Sequence, residues 1–303
     1  MGDVRFRALT ADDLPGVAPL RRRALDALRA PAEAPVGRPP DDVPPELPHL
    51  LRTDPDLAWI AEGDGGPLGY ALGAVRDGLC TVSHLFVDPE AHERDIGQEL
   101  LRRLLAAADS RGAARWWVVA SSSLAAHALY LRAGMYDRAT LYPLLGPVQS
   151  LLTLPEPPSG ARLKRPTLCD GWLHRLNALD RAVRGAARPE DHAFFLESPD
   201  SHCEALSDEG GDLLGYVYYW DGGHIGPAAA TDPELLLDLL RVVASALDRS
   251  GVDAVTLLVP SLNTVALSAL MERRFVIRRL DTLMSSGVWG ALDRYLPSGG
   301  VLM

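Results

Sequence analysis

Leu85-Phe86-Val87-Asp88-Pro89-Glu90-Ala91-His92-Glu93-Arg94-Asp95-Ile96-Gly97-Gln98-Glu99-Leu100-Leu101 is the stretch on which the reading of the fold turns. Residues 80–87 read as a strand, which stops at Asp88-Pro89 because proline has no N–H to give a ladder. From Ile96 onward, Leu100, Leu101, Leu104, Leu105 and Ala108 recur at helical spacing, so residues 97–109 read as an amphipathic helix. A strand that runs through a loop into a helix exposes the backbone N–H groups of the first helical turn. These form an anion site suited to a pyrophosphate.

On either side the pattern continues. Residues 4–9 alternate like a strand, and residues 14–28 carry apolar side chains at helical spacing. Residues 57–61 and 68–72 are strand-like runs joined by Asp64-Gly65-Gly66, a hairpin signal. Residues 116–120 form a short buried strand. Ser121-Ser122-Ser123 offers N-caps for a helix through Ala133, which Gly134 closes as a C′ residue. The order β-α-β-β-β-α-β-α-β predicts an α/β (α+β) fold, a mixed and mostly antiparallel twisted sheet with helices on both faces.

The second half repeats these landmarks in the same order. Gly65-Gly66-Pro67-Leu68-Gly69-Tyr70 returns as Gly211-Asp212-Leu213-Leu214-Gly215-Tyr216, and Asp88-Pro89 as Asp232-Pro233. Ala126, Gly134 and Met135 correspond to Ala266, Arg274 and Phe275. The repeat implies two tandem copies of one fold, with domains expected at 1–153 and 162–303. The prolines of 154–161 read as the linker. A second Pro-rich stretch, residues 31–48, reads as a long surface loop.

Totals set outer bounds. A chain of 303 residues exceeds what one core usually supports, and 47% hydrophobic with 23% charged residues is ordinary for a globular protein. A net charge of −10 without a Lys/Arg cluster argues against a nucleic-acid partner. Three scattered cysteines, Cys80, Cys169 and Cys203, lack metal-binding spacing and read as reduced core residues, so no metal is expected. Without an apolar leader or a long apolar run, no membrane association and a cytoplasmic location are expected.

The central stretch resembles the GNAT acyltransferase superfamily. There an L-x-V-x-P strand leads into an R/Q-x-x-G-x-G/A loop around the coenzyme A pyrophosphate, and a later helix reads N-x-x-A-x-x-L-Y-x-x-x-G-F. Here the later motif is Ser123-x-x-Ala126-x-x-Leu129-Tyr130-x-x-x-Gly134-Met135, while His92 stands at the Arg/Gln position, Asp95 at the first glycine and Gly97 where the pattern has Gly. The second half resembles the C-terminal domain of tandem GNAT proteins. Its strand passes almost directly into its helix without a glycine loop, and Asn263-x-x-Ala266-x-x-Ala269-Leu270-x-x-x-Arg274-Phe275 has Leu270 in place of the tyrosine.

The resemblance implies an acetyl-CoA-dependent N-acyltransferase acting on a small amine, as a monomer or homodimer, with its site in the first domain. It places acetyl-CoA against Leu85, Phe86, Val87, His92, Glu93, Arg94, Asp95, Ile96, Gly97, Gln98, Ser123 and Tyr130. The Val87 backbone N–H would bind the acyl carbonyl, and Tyr130 would protonate the departing sulfur. A general base would share a strand face with positions 81, 83 and 85, here Thr81, Ser83 and Leu85. His84 is the candidate base, but alternation points it to the opposite face unless a bulge resets the register. Glu62 and His127 are weaker candidates. The alternative reading is a non-catalytic acyl-CoA-binding or regulatory tandem protein.

Overall fold

A computed structural model describes residues 3–28, 43–156 and 161–303, with the backbone alone at 28 and 92–94. Residues 31–42 of the first Pro-rich stretch and 157–160 of the expected linker lie outside the described residues. The end of the first stretch is helix rather than loop, because Pro48 falls in a first turn, where its missing N–H leaves no bond unmade. The chain divides into two compact units, Met1–Arg138 with Thr282–Gly287, and Ala139–Asp281 with Val288–Met303.

The first unit runs β1 (Arg5–Ala8), α1 (Leu14–Leu28), α2 (Glu46–Thr53), β2 (Ala58–Gly63), β3 (Gly66–Arg76), β4 (Leu79–Val87), α3 (Ile96–Ser110), β5 (Arg115–Ala120) and α4 (Leu124–Arg132). Strands β1 to β4 pair antiparallel in sequence order, and β5 joins β4 in parallel. On one face, Ala61, Ala71, Cys80 and Val82 pack under Ile96, Leu100, Leu101 and Leu104 of α3 and under Tyr130 of α4. On the other lie α1 and α2, as the alternation of Ile60, Tyr70 and Leu72 with the α3-facing residues requires.

The remaining elements are β6 (Tyr136–Pro147), α5 (Val148–Leu151), β7 (Arg162–Lys164), α6 (Trp172–Val183), α7 (Pro189–Glu197), β8 (Ser201–Ser207), β9 (Leu213–Trp220), β10 (His224–Ala230), α8 (Pro233–Arg249), β11 (Ala254–Pro260), α9 (Thr264–Glu272), β12 (Val276–Ile277), β13 (Asp281–Ser285) and β14 (Tyr295–Leu296). In the second unit the sheet order is β6-β11-β10-β9-β8-β7, antiparallel except between β10 and β11. Helices α8 and α9 cover a core of Leu236, Leu239, Leu240, Val243, Val255, Val259 and Leu270.

The division falls within β6, upstream of the prolines expected to mark it. Strand pairing supplies the reason. Residues 141–147 pair one for one with β11, and Val148, Leu151 and Leu154 pack into the second core. In return, residues 282–285 of β13 pair with β5 in the first unit. Each unit's sheet is therefore completed by a strand from the other half of the sequence.

Packing also explains the repeated Leu-Gly-Tyr. A Cβ on Gly69 would stand 3.0 Å from the Phe86 carbonyl and 3.1–3.2 Å from Ile96 and Leu100 of α3. One on Gly215 would stand 3.0 Å from Leu239 of α8 and 3.1 Å from the Ala229 carbonyl. Both glycines let a helix settle close on its strand.

Candidate active site

Strands β4 and β5 pair only at residues 79–81 with 115–117, and beyond Thr81 they part. The parted segment of β4 ends in Leu85, Phe86 and Val87, all half-buried, with Leu85 and Val87 against the α3 core. Asp88 then ends the strand. Its carboxylate accepts the Glu90 N–H at 3.1 Å and pairs with Arg23 at 3.0 Å from Nε, which fixes the exit of the chain into the connection.

Eight residues, 88–95, separate β4 from α3, with a 3-10 turn at Pro89–Arg94. His92, Glu93 and Arg94 lie in that turn; their side chains are outside the described residues. Asp95 occupies the cap position of α3 in the left-handed region (φ 52°, ψ 15°), is exposed, and makes no side-chain capping bond. This is the backbone conformation that glycine adopts without strain. Ile96 is buried, Gln98 is exposed and Gly97 is half-buried between them. A Cβ on Gly97 would meet Val87 at 3.5 Å and Leu129 at 3.7 Å, ordinary contacts, so packing does not require glycine there.

Ser123 caps α4, accepting the Ala126 N–H at 3.3 Å, and Asn263 does the same for Ala266 on α9 at 3.0 Å. At the far ends Gly134 (φ 76°) and Arg274 (φ 61°) take the left-handed turn, and Met135 and Phe275 donate N–H bonds back to Tyr130 and Leu270. Much of the later motif is thus the start and stop of a helix. Its chemical residue is Tyr130, buried against the α3 core, whose hydroxyl has no hydrogen-bond partner among the described residues. Burial raises its pKa, so the phenol stays protonated.

His84 meets the condition set by its strand register. Leu72 pairs with His84 but Gly73 pairs with Val82, leaving Ser83 as an extra residue, a β-bulge. Cys80 and Val82 face α3 before the bulge, and Leu85 and Val87 after it, so His84 and Phe86 join Thr81 on the α1 face. His84 is buried, its Nδ1 lies 3.0 Å from the Tyr70 hydroxyl, and its Nε2 has no partner. Burial, with the charge of Arg21 adding, pushes its pKa down to about 3. Glu62 is occupied by Arg7, and His127 by the Ser123 carbonyl of its own helix. Arg21 was not among the sequence candidates, yet it sits on the buried stripe of α1 with Val17, Leu20 and Ala24, a spacing that marks it out.

The second unit departs at the corresponding place. Only Thr231 and Asp232 separate β10 from α8, and Asp232 caps the helix directly, accepting the Glu234 N–H at 3.0 Å. Here too the parallel pair is short, with only His224 and Ile225 of β10 on β11. Since β9 holds the other edge of β10, Ala228 and Ala229 pair with β14 on the edge that β11 leaves.

Residues 22–135 match the family model described as the Acetyltransferase (GNAT) family. A protein from Pyrococcus horikoshii assigned as an acetyltransferase is 19% identical over 99% of this chain and 94% of its own, with a TM-score of 0.74. A GCN5-related N-acetyltransferase from Sphaerobacter thermophilus is 19% identical over 93% and 95%, at 0.64. A tandem GNAT protein from the clavulanic acid biosynthesis pathway is 17% identical over 94% and 99%, at 0.61. These likenesses are of fold. No curated protein matches the chain in sequence. No helix among the described residues is long and apolar enough to cross a membrane, and no group of three metal-ligand side chains occurs among them.

Proposed function

We propose that the chain transfers an acetyl group from acetyl-CoA to the nitrogen of a small amine, at one site, in the first unit. The observation that carries this is the parted β4–β5 pair followed by an eight-residue connection into α3, set against the two-residue connection and the added β14 in the second unit. The backbone of residues 92–98 would hold the pyrophosphate, and the Val87 N–H the acyl carbonyl.

In the reaction the amine nitrogen bonds to the thioester carbon, the carbon–sulfur bond breaks, and the thiolate takes the Tyr130 proton. The proton lost by the nitrogen restores the phenol through solvent. Burial keeps the phenol in the acid form that holds this proton, while making it a weaker acid than a free tyrosine. His84 is held neutral and is a poor proton acceptor in its buried setting, so we give it a hydrogen-bonding role toward the acceptor and let the amine enter already deprotonated.

A non-catalytic acyl-CoA-binding role is the second reading, favoured by Asp95 in the connection and by the weak basicity of His84. Melting curves with acetyl-CoA, then thiol release with an amine panel, separate the two. A ligand at about 100 times its Kd stabilises by about 2.7 kcal/mol, so binding is readable. Stabilisation with turnover is expected; stabilisation without turnover selects the second reading, and no stabilisation rejects both.

A further inference from the structure

The face of the first sheet covered by α1 holds polar atoms that neither hold coenzyme A nor move a proton in the proposed transfer. Arg21 lies on the buried stripe of α1, half-buried itself; its Nε is enclosed without a partner, and no ion pair reaches it from the described residues. Helix α1 packs on β3 and β4, the strands that carry Tyr70 and His84 on this face, and the Arg21 charge acts to lower the pKa of both. His84, almost wholly buried, has an enclosed Nε2 without a partner. The Tyr70 hydroxyl lies 3.0 Å from Nδ1, and with the phenol as donor the imidazole proton sits on Nε2, the tautomer that a bound anion selects.

Among the described residues, the cationic Arg21 Nε–H and the His84 Nε2 therefore share this face without a partner. An enclosed donor left unpaired and a cation without a counter-charge each destabilise a fold, and a bound anion relieves both. The coenzyme pyrophosphate is not that anion, since its connection opens α3, which packs on the opposite face. A carboxylate fits: it is planar, accepts only, and matches guanidinium in charge and shape.

We propose that Arg21 and His84 form a subsite for a carboxylate on the acceptor, so that the protein's substrates are amines bearing a carboxylate. This rests on the acetyl-transfer reading above. Three residues of extended strand, about 10 Å, separate His84 from Val87, a span that one molecule of amino-acid size bridges with its nitrogen at the acyl carbon.

The subsite is testable on the full chain without turnover, by calorimetry and melting curves with glutarate, glutaramide and inorganic phosphate at matched ionic strength. Glutarate is expected to bind once and raise Tm, while glutaramide and phosphate do not. Arg21→Gln abolishes the glutarate response and Arg21→Lys weakens it, with acetyl-CoA affinity unchanged in both. In turnover, 5-aminopentanoate is expected to exceed pentylamine by at least about tenfold in kcat/KM, a preference lost in Arg21→Gln. Equal responses to glutarate and glutaramide, a stronger response to phosphate, or glutarate binding unaltered in Arg21→Gln overturns the subsite even where acetyl-CoA binds. Arg21-dependent glutarate binding without acetyl-CoA binding upholds the subsite and overturns the acetyl-transfer reading instead.

Discussion

Each unit has a central strand that runs beside a parallel neighbour and then into a long helix, β4 into α3 in the first and β10 into α8 in the second. In both, the parallel pair lasts only two or three residues before the strands part. The two connections beyond that point differ. In the first unit the connection is long, one of its residues is left-handed at Asp95, and Gly97 keeps a side chain out of the helix start where packing would admit one. In the second, the helix is capped at once by Asp232, and β14 takes the backbone edge that the parting strands expose. Among the described residues the same fold thus adds no further strand at the parting in one copy and fills it with β14 in the other, which is why we propose the ligand chemistry for one copy only.

The contrast can be broken most sharply at Tyr130, whose counterpart Leu270 has no hydroxyl. Tyr130→Phe is expected to lower kcat about 10- to 100-fold with little change in the KM for acetyl-CoA, because the hydroxyl acts on the leaving sulfur. An unchanged kcat in steady-state assays would leave Tyr130 as packing. Next in size, Gly69→Ala and Gly215→Ala each lose about 1–3 kcal/mol of stability by forcing a helix off its strand, equally in the two units. Urea titration in which one of the two is neutral would show that the repeated glycines serve different ends.

Gly97→Ala sharpens the comparison from the other side. Stability stays level or rises slightly, since the added methyl meets only ordinary contacts, while the Kd for acetyl-CoA rises several-fold. Equal affinity by calorimetry would remove Gly97 from the site. The smallest effect is expected at Asp95. Asp95→Gly relieves a left-handed backbone and removes a negative charge from beside the proposed place of two phosphates, so it is expected to tighten acetyl-CoA binding several-fold. Asp95→Asn recovers only the electrostatic share, and that share shrinks as salt rises. Weaker binding in Asp95→Gly across a salt series would mean that the pyrophosphate lies elsewhere.

The strand–loop–helix junctions, the cap residues Ser123 and Asn263 and the C′ positions 134 and 274 were legible in the sequence because each depends on neighbours within a few residues. The exchange of strands was not. Residues 141–147 and 282–285 satisfy their backbone groups on partners far away in sequence, and nothing local distinguishes a strand that pairs with its own half from one that crosses. The prolines at 154–161 therefore drew the expected boundary downstream of the observed division. The bulge at Ser83 was hidden for the same reason, since it exists only relative to β3, and with it the face on which His84 lies. Arg21 was readable from its place on an apolar stripe, but that its Nε finds no partner among the described residues shows only in three dimensions.

The claim that one copy is open and the other closed is tested most directly by isothermal titration of the full chain with acetyl-CoA. The account predicts one site per chain, abolished or greatly weakened by substituting a bulky residue at Gly97 and unaffected by substitution at Thr231 or Asp232. Two equivalent sites per chain, or a single site that responds to the β10–α8 junction and not to Gly97, would contradict it.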